Sequence, residues 1–333
     1  MNRSLLLSLS LLLALVSTAS CKKTATDTRN DKNIAPKKES LGNFNADSAY
    51  SYIEKQLEFG PRVPGTDGHK ACASWLEGKL RETKPDTLIV QRGEVRAYTG
   101  ARLPITNLMA SYNLANPNRL LLVAHWDTRP WADNDAVPAN HSKPLPGAND
   151  GGSGVGVLLE IARNLAIKKP AYGIDILLVD AEDYGRSGGF SDNGDSWCLG
   201  TQYFIENLPY PDGLLPRYAI VLDMVGGRDA RFSKEYTSHT QAREYTDKIW
   251  KEAAALGLAD RFPDRVTAGV VDDHTFLNEA GIPAVDIVEC DNHITNSFPP
   301  YWHTMQDDMS NIDRSTLGDV GKTVLNLVYS PKI

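Results

Sequence analysis

Arg119-Leu120-Leu121-Leu122-Val123-Ala124-His125-Trp126-Asp127 is a short apolar run that ends abruptly in histidine and aspartate. A run of this length reads as a strand buried on both faces. Similar runs stand at residues 174–180, 218–222 and 284–288, with helical segments between them. Strands alternating with helices predict an α/β fold with a mixed, mostly parallel central sheet flanked by helices on both faces. Two further extended runs, residues 87–95 and 105–112, are expected at the edge of that sheet. Each core run is followed by ionisable residues: His125 and Asp127, Glu182 and Asp183, Asp223, and Glu289. In open α/β sheets ligands bind outside the carboxyl ends of the strands, so these residues mark the candidate site.

Between the first two core runs lies Gly147-Ala148-Asn149-Asp150-Gly151-Gly152-Ser153-Gly154, a glycine-rich turn that carries one carboxylate. Leu158, Ile161, Ala162 and Leu165 then recur at helical spacing. Alone, Asp150 could simply start that helix. Helices are also expected over residues 47–59, 68–80, 240–256, 272–280 and 315–328, with a turn at Gly60-Pro61-Arg62-Val63-Pro64-Gly65-Thr66. Residues 129–147, 185–196 and 290–301 read as long loops above the strand ends, where substrates are usually enclosed.

The chain has 333 residues, 41% hydrophobic and 23% charged, enough for one large domain with a sizeable core. Its formal charge of -7 argues against nucleic acid as a partner, which would want a basic patch. Residues 1–20 combine an early Arg3, an apolar stretch and small residues, the pattern of a secretory leader. Thr18-Ala19-Ser20-Cys21 resembles the lipobox of bacterial lipoproteins, although Thr18 stands where leucine is usual. The resemblance implies a lipid on Cys21, anchorage to the cell envelope and a periplasmic location. The lysine-rich residues 21–45 are expected to form a flexible tether, and 46–333 the catalytic domain. The remaining cysteines, Cys72, Cys198 and Cys290, have no CxxC spacing, which excludes a cysteine zinc site and allows at most one disulfide.

His125, Asp127, Asp150, Glu182, Asp183, Asp223 and His303 together make a set of imidazoles and carboxylates suited to catalytic zinc, which takes three protein ligands and keeps one position open. Taken singly, each has a plainer explanation as a cap or a satisfied polar group. The order His125-x-Asp127, Asp150-Gly-Gly-Ser-Gly, Glu182-Asp183, Asp223, His303-Thr304 resembles the zinc aminopeptidase superfamily, from about residue 46 to the end. Arg62-Val63-Pro64-Gly65-Thr66, Asp272-Asp273-His274 and Trp302-His303-Thr304-Met305-Gln306-Asp307-Asp308 resemble in particular the animal-type glutaminyl cyclases that also occur in bacteria.

That resemblance implies a zinc exopeptidase-like sandwich and one zinc held by Asp150, Asp183 and His303, with Asp183 standing where family members often have Glu. It implies Glu182 as acid and base, with Asp223 and Asp272 hydrogen-bonded around it, and Trp302 as a wall of the glutamine pocket. The implied reaction converts N-terminal glutamine of peptides to pyroglutamate with release of ammonia. A di-zinc aminopeptidase is the alternative, with His125 and Asp223 on a second metal, Asp150 bridging and Asp127 in support. Trp197 is expected to cover the site and Trp126 to pack. His274 is expected to help position Asp272, while His239 and His293 have no motif partner.

Overall fold

The computed structural model describes residues 38–187, 196–211 and 213–331. The leader, Cys21, most of the expected tether and the centre of the 185–196 loop lie outside the described residues. Strands β1 (Thr87–Arg96), β2 (Arg102–Tyr112), β3 (Arg119–His125), β4 (Gly173–Val179), β5 (Tyr218–Asp223) and β6 (Ala284–Val288) form one sheet in the order β1-β2-β4-β3-β5-β6. β4, β3, β5 and β6 run parallel to their neighbours, whereas β2 joins β4 antiparallel and β1 caps the edge against β2. The four core runs are therefore the parallel part of the sheet, and their carboxyl ends share one rim.

The helices are α1 (Ala46–Glu58), α2 (Asp67–Glu82), α3 (Gly152–Ile167), α4 (Leu199–Glu206), α5 (Tyr236–Gln241), α6 (Arg243–Ala255), α7 (Asp273–Glu279) and α8 (Arg314–Val328). Alternation along β3 divides the core. Leu120, Leu122 and Ala124 face a layer built from α1, α2, α3, α6 and α8, while Leu121 and Val123 face Phe204 of α4 and Leu277 of α7. Every residue of β3, β4 and β6 is buried, which is why these strands carry no polar alternation in sequence. Burying each such Leu or Ile contributes about 1.5–3 kcal/mol, and this pins the register of the rim.

Two expectations are corrected and one helix is added. The helix anticipated over 240–256 is two: Ala242, at φ −127° and ψ 38°, breaks it into α5 and α6. Helix α4 was not anticipated. Residues 38–45, assigned to the tether, instead lie on the helical layer. There the Lys38 N–H donates to the Ala255 carbonyl, Asn45 caps α1, and Phe44 is buried in the space left by Gly321 of α8. Burial of Phe44 and these hydrogen bonds together oppose the entropy that a free tether would keep.

Candidate metal centre and active site

The rim is shaped by tight backbone turns. Asp150 sits two residues before α3, in a turn whose N–H groups, from Asn149 and Asp150, both donate to the Asp307 carboxylate at 2.8 and 3.1 Å. Gly151 follows at φ +83°, and a Cβ there would come within 2.4 Å of the Asp127 carbonyl oxygen and 3.1 Å of the His125 ring. Only glycine lets Asp150 approach His125 in this way. The buried Arg62 guanidinium donates to the carbonyls of Trp126, Pro146 and Gly147, tying the Asp150 turn to the end of β3.

Beyond β4, Ala181 adopts φ +52° and swings the next two residues inward, where Asp127 accepts the N–H groups of Glu182 at 3.0 Å and Asp183 at 3.2 Å. Asp127 is thus a brace between two strand ends. Cys198, Met224 and His303 are left-handed as well. Such backbone costs about 1–2 kcal/mol per non-glycine residue and is retained where surrounding contacts demand it.

The three residues implied as zinc ligands converge. One donor atom each from Asp150, Asp183 and His303 lies within 4.8 Å of the others, and all three residues are buried. His303 Nε2 is 3.2 Å from Asp183 Oδ1 and 3.6 Å from Asp150 Oδ2, while its Nδ1 faces Asp133 at 3.4 Å, so the ring is held with Nε2 toward the acids. Arg129 clamps both oxygens of Asp133, at 2.9 and 2.7 Å, and donates to the Asp183 carbonyl at 3.1 Å. Asp183 Oδ2 is buried without a hydrogen-bond partner. Burial opposes charge on His303, yet Asp183 and Asp133 raise its pKa to about 9, as expected in a pocket short of positive charge. An orphaned buried carboxylate oxygen in a set of two carboxylates and one imidazole fits zinc with an open coordination position.

A second trio shares Asp150. His125 Nε2 lies 3.1 Å from Asp150 Oδ1 and 3.2 Å from Asp223 Oδ1, and its Nδ1 is 3.4 Å from Asp127. Asp223 therefore pairs with His125, which corrects the expectation that it hydrogen-bonds Glu182. Asp272, the N-cap of α7, lies near Glu182 without a hydrogen bond between them: Glu182, Cys198 and Asp272 each bring a polar atom within 4.8 Å of the others, while Asp272 Oδ1 accepts the Asp273 N–H and its Oδ2 is buried and unpartnered. Burial pushes the Glu182 carboxyl well above its usual range; His125 opposes this, and Asp183, Asp272 and Asp273 add to it. Burial also raises Asp223, to about 7.

These groups open onto a cavity of about 290 Å³ lined by Asp150, Glu182, Asp183, Asp223, Asp272 and His303 together with Trp197, Met224, Val270, Phe298 and Trp302. The Trp302 ring stacks on His303 at 3.8 Å and 25°, and Trp197 lies nearly parallel to the same ring at 6.2 Å. Trp126 is fully buried against His69, as expected of a packing residue. His274 bonds the Glu235 carboxylate at 3.0 Å and lies 3.6 Å from Asp286; its link to Asp272 is through this cluster. Glu235 also accepts the N–H groups of Val270, Thr237 and Ser238, so it holds one wall of the cavity. Cys72, Cys198 and Cys290 are free and buried. Sequence reasoning did not single out Arg129, Asp133, Asp307 or Glu235. Arg129 and Asp133 form a local pair four residues apart, and Asp307 stands in the stretch that carries His303, so these were within reach; Glu235 pairs with His274 across 39 residues with no local signature.

Comparison with known proteins agrees with this geometry. The family model for peptidase family M28 matches residues 107–328. Bacteroides thetaiotaomicron glutaminyl cyclase, solved with N-acetylhistamine bound, is 45% identical over 87% of this chain and 99% of its own, with a TM-score of 0.83. A zinc-dependent exopeptidase from Parabacteroides distasonis is 43% identical over 87% of this chain and 100% of its own, also with a TM-score of 0.83. The aminopeptidase YwaD of Bacillus subtilis is 25% identical over 92% of this chain, which spans 62% of that protein's length. Because the family model matches more than half of the chain, the chain belongs to peptidase family M28.

Proposed function

We propose that this chain is a zinc-dependent glutaminyl-peptide cyclotransferase, closing N-terminal glutamine of peptides and proteins into pyroglutamate and releasing ammonia. One observation carries the reading. Buried Glu182, with Asp272 beside it, stands on a small cavity walled by Trp302, next to the Asp150–Asp183–His303 trio. Likeness to the Bacteroides thetaiotaomicron glutaminyl cyclase supports it.

Asp150, Asp183 and His303 would hold the zinc, which when bound supplies Lewis-acid polarisation of the substrate γ-carbonyl. The chain's own groups do the rest. Trp302 and Trp197 confine the glutamine side chain and keep bulk water from the reacting carbon. The α-amine attacks the side-chain carbonyl carbon, forming the ring C–N bond while the bond to the amide nitrogen breaks. Glu182 accepts the proton that the amine loses and returns it to the departing nitrogen, which leaves as ammonia, so protons balance within one turnover. Because nucleophile and electrophile belong to one residue, no activated water is needed and one metal suffices. Asp127 spends its two oxygens on backbone N–H groups, so it braces the site rather than adding a metal ligand.

The second reading, a di-zinc aminopeptidase, is favoured by the same His125–Asp150–Asp223 trio seen as a metal cradle. Mass spectrometry of a glutaminyl peptide, beside metal analysis, separates the two. Loss of ammonia from an intact peptide with about one zinc per chain supports the cyclase. A released N-terminal residue with two zincs establishes the aminopeptidase. The Thr18-Ala19-Ser20-Cys21 stretch supports a further proposal, that a lipid on Cys21 anchors the enzyme in the cell envelope facing the periplasm. Replacing Cys21 by Ala should then move it from the membrane fraction to the soluble one, and continued membrane association would oppose the anchor.

A further inference from the structure

The loop that returns from the 185–196 region docks on the catalytic turn through more than packing. The Cys198 N–H donates to the Glu182 carbonyl at 2.9 Å and the Leu199 N–H to the Ala181 carbonyl at 3.1 Å, so two backbone bonds register the start of α4 on the turn after β4. Within that register the Cys198 thiol points at Glu182, donating from Sγ to Oε1 at 3.3 Å. Cys198 is fully buried and held at φ +54°, a conformation costly for a residue with a Cβ. We infer that Cys198 is a positioning residue: its thiol fixes the rotamer of Glu182, occupying Oε1 so that Oε2 carries the proton moved in the reaction. This rests on the reading of Glu182 as the acid and base.

A thiol suits the task. It is a weak donor with a single hydrogen, so it sets the direction of the carboxyl group through one oxygen and leaves the other free. Burial raises the thiol well above its ordinary range and keeps it protonated, so it remains a donor. Asp272 comes to the same carboxyl group, confining Glu182 between helix caps of α4 and α7.

The test compares Cys198→Ala with Cys198→Ser in the zinc-loaded protein, on glutaminyl peptide. The alanine variant should keep its zinc and its KM within about twofold while kcat falls about tenfold, and serine, which restores a donor, should recover kcat to within about threefold. A second readout is the infrared S–H stretch that disappears in Cys198→Ala. It should lie at a different frequency in the wild type than in Glu182→Gln, where an amide replaces the carboxyl acceptor. Unchanged kcat in the alanine variant, equal loss in both variants, or a stretch indifferent to Glu182 would each overturn the inference. Wild-type protein that releases no ammonia would instead overturn the cyclase reading itself, so the two failures are told apart.

Discussion

Glu182 and Asp183 are adjacent carboxylates with different tasks, and the difference lies in where the turn after Ala181 sends them. Asp183 points at His303, while Glu182 is enclosed by Cys198 and Asp272. Glu182→Gln keeps the shape and removes the proton acceptor, so zinc content should be unchanged while kcat falls about 10³-fold; loss of zinc would reverse the assignment of the pair. The two histidines should differ in kind. His303→Ala should abolish zinc binding in a metal titration, whereas His125→Ala should keep about one zinc per chain and lose much less activity. Equal loss of metal in both would indicate a shared two-metal centre. Residue types and order made this set legible in the sequence. Their pairing was not: nothing in the order His125, Asp150, Asp223 distinguishes a histidine between two acids from a second metal trio.

Among the elements, β3 to β6 were legible because burial on both faces leaves an unbroken apolar run, and Asp150 was legible because a turn this close to His125 tolerates only glycine after it. Helix α4 was missed because its eight residues are too few to show a period, and the break at Ala242 because no Gly or Pro marks it. The Glu235–His274 pair was hidden by a gap of 39 residues, yet it ties α5, α7 and the cavity wall together. Burial alone would raise Glu235, but the His274 ring and the Ser238 and Thr237 N–H groups hold it down, at about 2. A folded-state pKa below the unfolded value stabilises above the unfolded pKa and loses that contribution as pH falls. Glu235→Gln should therefore cost about 3 kcal/mol near neutral pH, and denaturant titrations should show the gap from wild type closing between about pH 4.5 and 2. A gap independent of pH would assign the cost to packing instead.

For the whole molecule, the rim gathers carboxylates from the ends of β3, β4 and β5, from the turn before α3 and from the N-cap of α7 into one small volume, and a bound cation would relieve their mutual repulsion. Chelation should lower the melting temperature by on the order of 10 °C, with recovery on adding zinc; an unchanged melting curve would show that the fold tolerates the empty centre. The strand order β1-β2-β4-β3-β5-β6 has a consequence in time as well as in space. β3 cannot complete its pairings until β4 and then β5 have been laid on either side of it, and His303 arrives from the last 31 residues of the chain. Long-range pairing of this sort is slow, and no early collapsed state can contain the metal trio. Refolding watched with a zinc-sensitive dye should then show a lag: helical signal first, metal uptake only with the final phase, so that the ion reports the moment at which the chain becomes an enzyme.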